Sequence, residues 1–127
     1  MSDFKKLNVS RKAHELTLEL YRATETFPRT EIFGLTSQIK RAASSINANL
    51  AEGCARGSDR ELLRFINIAL GSVSELEYHL MLARDLSFVS SETFLKMEGM
   101  RREVGSMLSG LANKVRLRVH AQVHAIK

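Results

Sequence analysis

Apolar residues recur every three or four positions on both sides of a short glycine-bounded segment, over residues 35–86. This is the spacing of one buried face on an α-helix, so the pattern predicts two long helices. The segment between them runs from Gly53 to Gly57. Glycine adopts the positive φ angles of tight turns at little steric cost. Ser58 and Glu61 then have the spacing of a capping box at a helix start. A helical hairpin is therefore predicted, with the rest of the chain packed on it.

Two further helices are predicted, one before the hairpin and one after it. The first has its apolar residues at steps of three and four. It is predicted to stop before Pro28, because helical backbone geometry is unfavourable for the residue that precedes a proline. The last starts at an N-cap, Ser90 or Ser91. Four helices use nearly all of the 127 residues, which indicates one all-α domain. The predicted helices span residues 9–27, 35–55, 58–86 and 91–116.

The composition limits the class of protein. No stretch reaches the ~18 to 20 consecutive apolar residues that a membrane span needs, and no apolar run follows the lysines near the N-terminus. We therefore expect a soluble cytoplasmic protein with no membrane partner. Cys54 is the single cysteine, so no disulfide forms within the chain, as is usual in a reducing compartment.

The net charge of +5 is concentrated near the C-terminus. Residues 114–127 hold four Lys or Arg and no acidic residue, including Lys127, whereas residues 1–113 are nearly balanced. A basic tail, predicted here for residues 117–127, can contact phosphates without sequence preference or can serve only as a solubilising terminus. Apolar and polar residues alternate along it, which is the period of a strand. The tail is expected to be a poorly formed helix end, a disordered end, or a strand paired with another subunit.

No set of residues indicates an enzyme, a metal or a cofactor. His120 and His124 have ligand spacing on one possible helix face, but no third ligand is near in sequence, so a surface pair is the better interpretation. Arg56 stands near Cys54 and can lower the pKa of a thiol, yet no histidine is close in sequence. The turn also lacks the residues of a phosphate-binding loop. We expect a non-enzymatic protein without cofactor or metal.

A polar stripe accompanies the apolar face of the second helix. Small residues at 42–45 let another helix approach closely, and Gly71-Ser72 is the predicted partner. Polar side chains are expected to satisfy one another there, for example Arg41 with Glu75, and so to fix the register of the helices. A ligand site is the alternative. The stripe consists of Gln38, Arg41, Ser45, Asn49, Glu52, Ser72 and Glu75.

Several ordered motifs resemble a known family. They include Gly34-Leu35-Thr36-Ser37-Gln38-Ile39, Asn49-Leu50-Ala51-Glu52-Gly53 and Ala69-Leu70-Gly71-Ser72-Val73-Ser74-Glu75-Leu76-Glu77. Over about residues 4–112 the chain is similar to the four-helix-bundle proteins encoded by intervening sequences in 23S ribosomal RNA genes. It departs from that pattern at two positions, with Ser10 where the family usually has an aromatic residue and Asn47 where it usually has a proline.

The resemblance implies an antiparallel up-down bundle that assembles as a ring of five subunits. It also implies a distant relation to the accessory protein of diversity-generating retroelements, a pentamer that binds nucleic acid and a reverse transcriptase. The residues of the polar stripe match the family's pattern, in which their role is mainly structural.

Two hypotheses of function follow. The first is a homopentamer that binds RNA or DNA, since +5 per chain becomes about +25 in a ring of five. The second is a protein-interaction scaffold without nucleic-acid binding. Phosphate contacts are predicted for Arg56, Arg60, Arg64, Lys114, Arg116 and Arg118. Most of the basic residues that are interspersed with acidic ones are expected to be solvated, in the set Lys40, Arg56, Arg60, Arg64, Arg101 and Arg102. Subunit contacts are predicted for apolar residues off the main stripes, namely Leu18, Tyr21, Leu63, Phe65, Tyr78 and Met81.

Overall fold

A computed structural model describes the backbone of residues 3–126 and the side chains of residues 3–125. Met1, Ser2 and Lys127 lie outside this range, so the last residue of the predicted basic tail is not described. Residues 3–126 contain four α-helices and two single-turn 3₁₀ helices joined by short connections, with no strand among them. The α-helices are α1 Asn8–Thr24, α2 Leu35–Ala55, α3 Asp59–Asp85 and α4 Ser91–Ile126. The predicted all-α fold is confirmed.

Each helix packs against its neighbours in the chain, and α4 also packs against α1, so the four helices form a closed bundle. The start of α1 lies beside the second half of α2, and the start of α3 lies beside the second half of α4, as in an up-down bundle: Ser10 of α1 contacts Asn47 of α2, and Asp59 of α3 contacts Arg118 of α4. Aliphatic side chains fill the centre. The largest fully buried ones are Leu16, Leu20, Ile39, Ile46, Leu50, Ile66, Leu76, Leu80, Met97, Val104, Leu108 and Val115.

The α2–α3 connection consists of residues 56–58, whereas the predicted helix bounds leave only residues 56 and 57 between the two helices. Helix α2 continues through Ala55, and Gly57 alone takes a left-handed conformation there, with φ of 84°. The Ser58 side chain accepts a hydrogen bond from the Glu61 amide at 3.2 Å, which confirms this part of the predicted cap. Gly53 is helical and serves close packing instead, because a Cβ there would lie 2.9 Å from the Phe65 Cβ.

Of the two α3 residues that were predicted to contact α2 closely, Gly71 and Ser72, only Ser72 does so. Ser45 donates to the Ser72 hydroxyl at 2.5 Å, whereas Gly71 is exposed and faces open space. Helix α1 approaches the small residues of α2 from the other side, where the Thr17 hydroxyl reaches the carbonyl of Ala43 at 3.3 Å. The packing role predicted for Gly71 is therefore wrong.

Helix α1 ends at Thr24, three residues before the predicted end. The Phe27 amide donates to the Thr24 carbonyl at 3.1 Å in a tighter turn, and the Phe27 ring is buried against Phe88 with centroids 5.5 Å apart. The chain leaves the helix early because this turn brings the aromatic side chain into the core.

The strand-like alternation after residue 116 does not produce a strand. Helix α4 continues to Ile126, and Arg118 and Gln122, four residues apart, both donate to the Asp59 carboxylate. A helix that is already packed adds one hydrogen bond for each further residue without a new nucleation step, whereas a lone strand has no partner. The predicted end of this helix near residue 116 is wrong.

Arg101 is buried rather than solvated. Its guanidinium donates to Glu98 at 2.6 and 2.8 Å and to the exposed Glu77 at 3.2 Å, so α3 and α4 are joined through a buried arginine. None of the described helices has both the length and the apolar character that crossing a bilayer requires.

Candidate nucleic-acid interface

The up-down topology brings the two predicted basic clusters together at one end of the bundle. Arg118 near the end of α4 donates to Asp59 in the first turn of α3 at 3.1 Å, so the arginines near the α2–α3 connection and those of the tail are neighbours. Lys114 lies across a groove from Asn8 and Val9 at the start of α1. We define the basic end as residues 3–11, 52–64 and 113–126.

The basic end holds nine Lys or Arg and four Asp or Glu, while the rest of residues 3–126 holds nine Lys or Arg and ten Asp or Glu. The positive excess of residues 3–126 therefore lies at one end of the molecule. Such a concentration attracts polyanions more strongly than the same charge spread evenly. The cations are Lys5, Lys6, Arg11, Arg56, Arg60, Arg64, Lys114, Arg116 and Arg118.

Three of the six predicted arginines and lysines, Arg56, Arg64 and Arg118, form ion pairs in which the arginine side chain is about half exposed. Arg56 lies 3.0 Å from Glu52, and Arg64 lies 3.0 Å from Glu61. The hydrogen bond from Arg64 lowers the pKa of Glu61 below its ordinary value, and the one from Arg118 lowers the pKa of Asp59. These carboxylates stay ionised at neutral pH and hold the guanidinium groups in place.

The Phe65 ring lies beneath two of these guanidinium groups. The Arg64 group is 4.5 Å from the ring centroid and the Arg56 group is 5.1 Å away, distances at which a cation is attracted to an aromatic face. Phe65 is buried within the subunit, so its predicted subunit contact is wrong. The guanidinium groups of Arg56, which follows α2, and Arg64, in α3, are thereby held over the same aromatic ring.

The other predicted cations have no acidic partner among the described residues. Arg60 and Lys114 are exposed and make no ion pair in residues 3–126, and Arg116 bonds only to the side-chain oxygen of Asn113 at 2.7 Å. Their charges are available to a ligand without breaking an existing pair.

Sequence reasoning missed three cations of the basic end, Lys5, Lys6 and Arg11. They precede or open α1, where no pattern of charge distinguishes them. The signal that identifies them is topological, since an up-down bundle places the start of its first helix beside the end of its fourth.

The polar stripe is divided between helix contacts and surface. Ser45 joins α2 to α3 through Ser72, and the Asn49 side chain donates to the Ser45 carbonyl at 2.7 Å. The Arg41–Glu75 pair does not form: Glu75 contacts His79 on its own helix at 3.1 Å, and Arg41 has no ion pair in residues 3–126. Gln38 is exposed, and Glu52 holds Arg56.

The described residues offer little for metal or thiol chemistry. In residues 3–125, no three His, Cys, Asp or Glu side chains lie close enough to hold a metal ion. Cys54 is buried in α2, and burial raises the pKa of its thiol, with a further rise from the Asp3 charge. The thiol is therefore not activated by Arg56.

A family model for the 23S rRNA-intervening sequence protein matches residues 5–110. The fold is also similar to the 1.70 Å crystal structure of a protein with unknown function from the S23 ribosomal protein family of Bacteroides thetaiotaomicron VPI-5482. The two chains are 24% identical, with a TM-score of 0.76 over 83% of this chain and 95% of the other. No curated protein matches the chain. The family match covers most of the 127 residues, so the chain belongs to the 23S rRNA-intervening sequence protein family.

Proposed function

We propose that the protein is a non-enzymatic homo-oligomer that binds RNA or DNA through its basic end. The observation that carries this proposal is the gathering of nine cations from α1, the α2–α3 connection and α4 at one end of the bundle. Phosphate groups are attracted to such a surface whatever the base sequence, and each neutralised phosphate releases a counterion.

The cations without acidic partners are the first contacts in this proposal. Arg60 and Lys114 are exposed on α3 and α4, at the basic end of each helix. The paired arginines contribute next, because exposed ion pairs stabilise a protein by only about 0–1 kcal/mol and a phosphate can replace the carboxylate at small cost. Arginine also binds phosphate oxygens with two parallel hydrogen bonds.

Assembly into a ring of five subunits is the second part of the proposal. Leu18, Tyr21, Tyr78 and Met81 each leave 40% or more of their surface exposed, which supports contacts between copies. The resemblance to the pentameric accessory protein of diversity-generating retroelements belongs to the same proposal. Five basic ends on one particle would bind a long polyanion far more tightly than one.

A salt series tests nucleic-acid binding. The protein is titrated into a fluorescently labelled mixed-sequence RNA, and the affinity is measured by anisotropy from 50 to 300 mM KCl. The proposal expects log K to fall linearly with log[KCl]. Absence of binding at the lowest salt would remove the nucleic-acid function and leave the protein-interaction scaffold as the better hypothesis.

A pair of double variants locates the binding surface. Arg60→Ala with Lys114→Ala removes two unpaired cations of the basic end and is expected to lower the salt slope by about two. The matched control, Arg29→Ala with Arg41→Ala, removes two exposed cations at the other end and is expected to change the slope by less than half as much. Equal effects of the two double variants would contradict a localised interface.

Light scattering on the eluate of a sizing column tests assembly. A mass of about five subunits supports the ring, and Tyr78→Glu is expected to reduce that mass by placing a charge in an apolar contact. A monomer mass at micromolar concentration would contradict the ring while leaving the salt series as an independent test of binding.

A further inference from the structure

A cavity of about 350 Å³ lies between the start of α1 and the second half of α2, at the basic end. This volume is at the small end of the range for ligand pockets. Phe4, Lys5, Ser10, Arg11, His14 and Asn47 line it. None of these residues belongs to the predicted phosphate contacts.

Two buried polar atoms on the residues that line the cavity have no hydrogen-bond partner in the described structure. The Asn47 amide nitrogen donates to the Ser10 carbonyl at 2.9 Å, which fixes the orientation of the amide and leaves Asn47 Oδ1 unpaired. The Ser10 hydroxyl is also unpaired, although Ser10 is only 2% exposed. Buried polar atoms without partners are rare in proteins, because each one destabilises the fold. Their position beside a cavity therefore points to a ligand.

The other lining residues define the chemistry of that ligand. Lys5 and Arg11 are exposed cations without an ion pair among residues 3–126, so they favour an anion. The half-buried Phe4 side chain offers an apolar surface, and His14 adds a second ring. An anionic group joined to a flat ring that carries both donors and acceptors fits all of these features.

We propose that this cavity receives one nucleotide of a single-stranded RNA or DNA. Its phosphate contacts Lys5 and Arg11, and its base stacks on Phe4. The lining side chains move aside to uncover the two buried atoms, and the base edge then accepts a hydrogen bond from the Ser10 hydroxyl and donates one to Asn47 Oδ1. This inference rests on the proposed nucleic-acid function and adds a preference to it, because bases in a duplex are already paired and stacked and cannot enter.

The test compares a single strand with a duplex of the same sequence. Anisotropy is measured at one salt concentration for a labelled 12-nucleotide RNA, alone and annealed to its complement, with the wild type and three variants. Ser10→Ala is expected to weaken single-strand binding about fivefold, the size of one lost hydrogen bond. Phe4→Leu is expected to weaken it about tenfold, because stacking is lost while an apolar side chain is kept. Neither should change duplex binding.

Folding is controlled in the same experiment. Ser10→Ala removes only an unpaired hydroxyl, so its thermal midpoint should equal or exceed that of the wild type. Ser74→Ala, on the exposed side of α3 and away from the cavity, is the matched serine control and should leave both affinities unchanged.

The outcomes separate this inference from the proposed function. Salt-dependent binding that is equal for single strand and duplex, and insensitive to Ser10→Ala and Phe4→Leu, overturns the nucleotide cavity but keeps the basic end as a polyanion site. Absence of binding to both RNAs overturns both proposals. Weaker single-strand binding by the two cavity variants, with duplex binding unchanged, supports the cavity.

Discussion

The basic end and the rest of the bundle use charge in different ways. Outside the basic end, acidic and basic residues are nearly equal in number, and the buried Arg101 lies in a network with Glu98 and the exposed Glu77. At the basic end, the arginine side chains of the ion pairs are about half exposed, and cations such as Arg60 and Lys114 have no ion-pair partner among residues 3–126. Charge around Arg101 joins α3 to α4 in the interior of the bundle, whereas at the basic end the Arg118–Asp59 pair joins the same two helices and further cations have no ion-pair partner among residues 3–126.

This difference shows why net charge alone is a poor guide to function. A value of +5 for 127 residues is modest, yet nearly all of it resides on one end of the molecule. The positive potential that a polyanion meets depends on this local concentration and on whether each cation already has a partner. The comparison of the two regions can be sharpened by four experiments.

The largest effect is expected from the buried arginine. Arg101→Met removes the nearer of the two arginine partners of the largely buried Glu98, the other being the exposed Arg102 at 3.5 Å, and should lower the free energy of unfolding by about 3 kcal/mol, as loss of one member of a buried pair does. Arg118→Met, at the basic end, breaks a pair whose arginine side chain is 51% exposed and should cost less than about 1 kcal/mol. Urea unfolding measures both, and equal losses would contradict the distinction.

A smaller effect is expected from the close helix approach at the basic end. Gly53→Ala places a Cβ 2.9 Å from the Phe65 Cβ, so it should destabilise the fold by about 2 kcal/mol through overpacking. Gly71→Ala faces open space in the middle of α3 and should stabilise it by about 0.5–1 kcal/mol. If this packing is correct, the midpoint of thermal unfolding falls for Gly53→Ala and rises for Gly71→Ala.

The contribution of the Arg101–Glu98 pair to stability should depend on pH. The hydrogen bond from Arg101 holds the pKa of Glu98 below its ordinary 4.5, so the stability it contributes is present above pH 4.5 and is lost as pH falls through the lower folded pKa. Glu98→Gln should therefore cost about 1.5 kcal/mol at pH 7 and little at the acid limit. Urea midpoints from pH 7 to pH 3 measure this. A constant difference across that range would show that Glu98 is not the responsible group.

The smallest effect is expected where α4 passes the start of α3. Asp59→Asn removes the charge that Arg118 and Gln122 share, so the amides of residues 119–125 should exchange with solvent a few times faster. The amides of residues 104–112, in the packed part of α4, serve as the internal reference. Unchanged exchange in the final turns would mean that Asp59 does not hold them.

Local patterns predicted the helices well where glycines stand close to both ends. Helix α2 has the predicted bounds because Gly34 interrupts the pattern before it and Gly57 turns the chain after it. The end of α1 was misplaced by three residues because burial of Phe27 decides it, and that depends on Phe88, far away in the chain. Periodicity carries no information about such distant partners.

Only part of the candidate site was predicted, because sequence patterns do not show which distant segments become neighbours. Arg56, Arg60 and Arg64 are close in sequence and form a visible cluster, whereas Lys5, Lys6 and Arg11 join them only through the folding of α1 beside α2 and α4. Arg101 was misjudged because its burial depends on how α4 packs against α3, and Glu98 of its own helix is only one of its two carboxylate partners. Glu77 of α3 is the other.

The burial of Cys54 makes selective labelling of the native chain practical. Maleimide dyes react with the thiolate, and a buried thiol with a raised pKa supplies very little of it at neutral pH. Phe33 projects into solvent at the opposite end, so a Phe33→Cys variant would carry a dye or a surface tether without any change at Cys54. Single immobilised particles would then present their positively charged tips to the solution, and the arrival of individual RNA molecules could be counted.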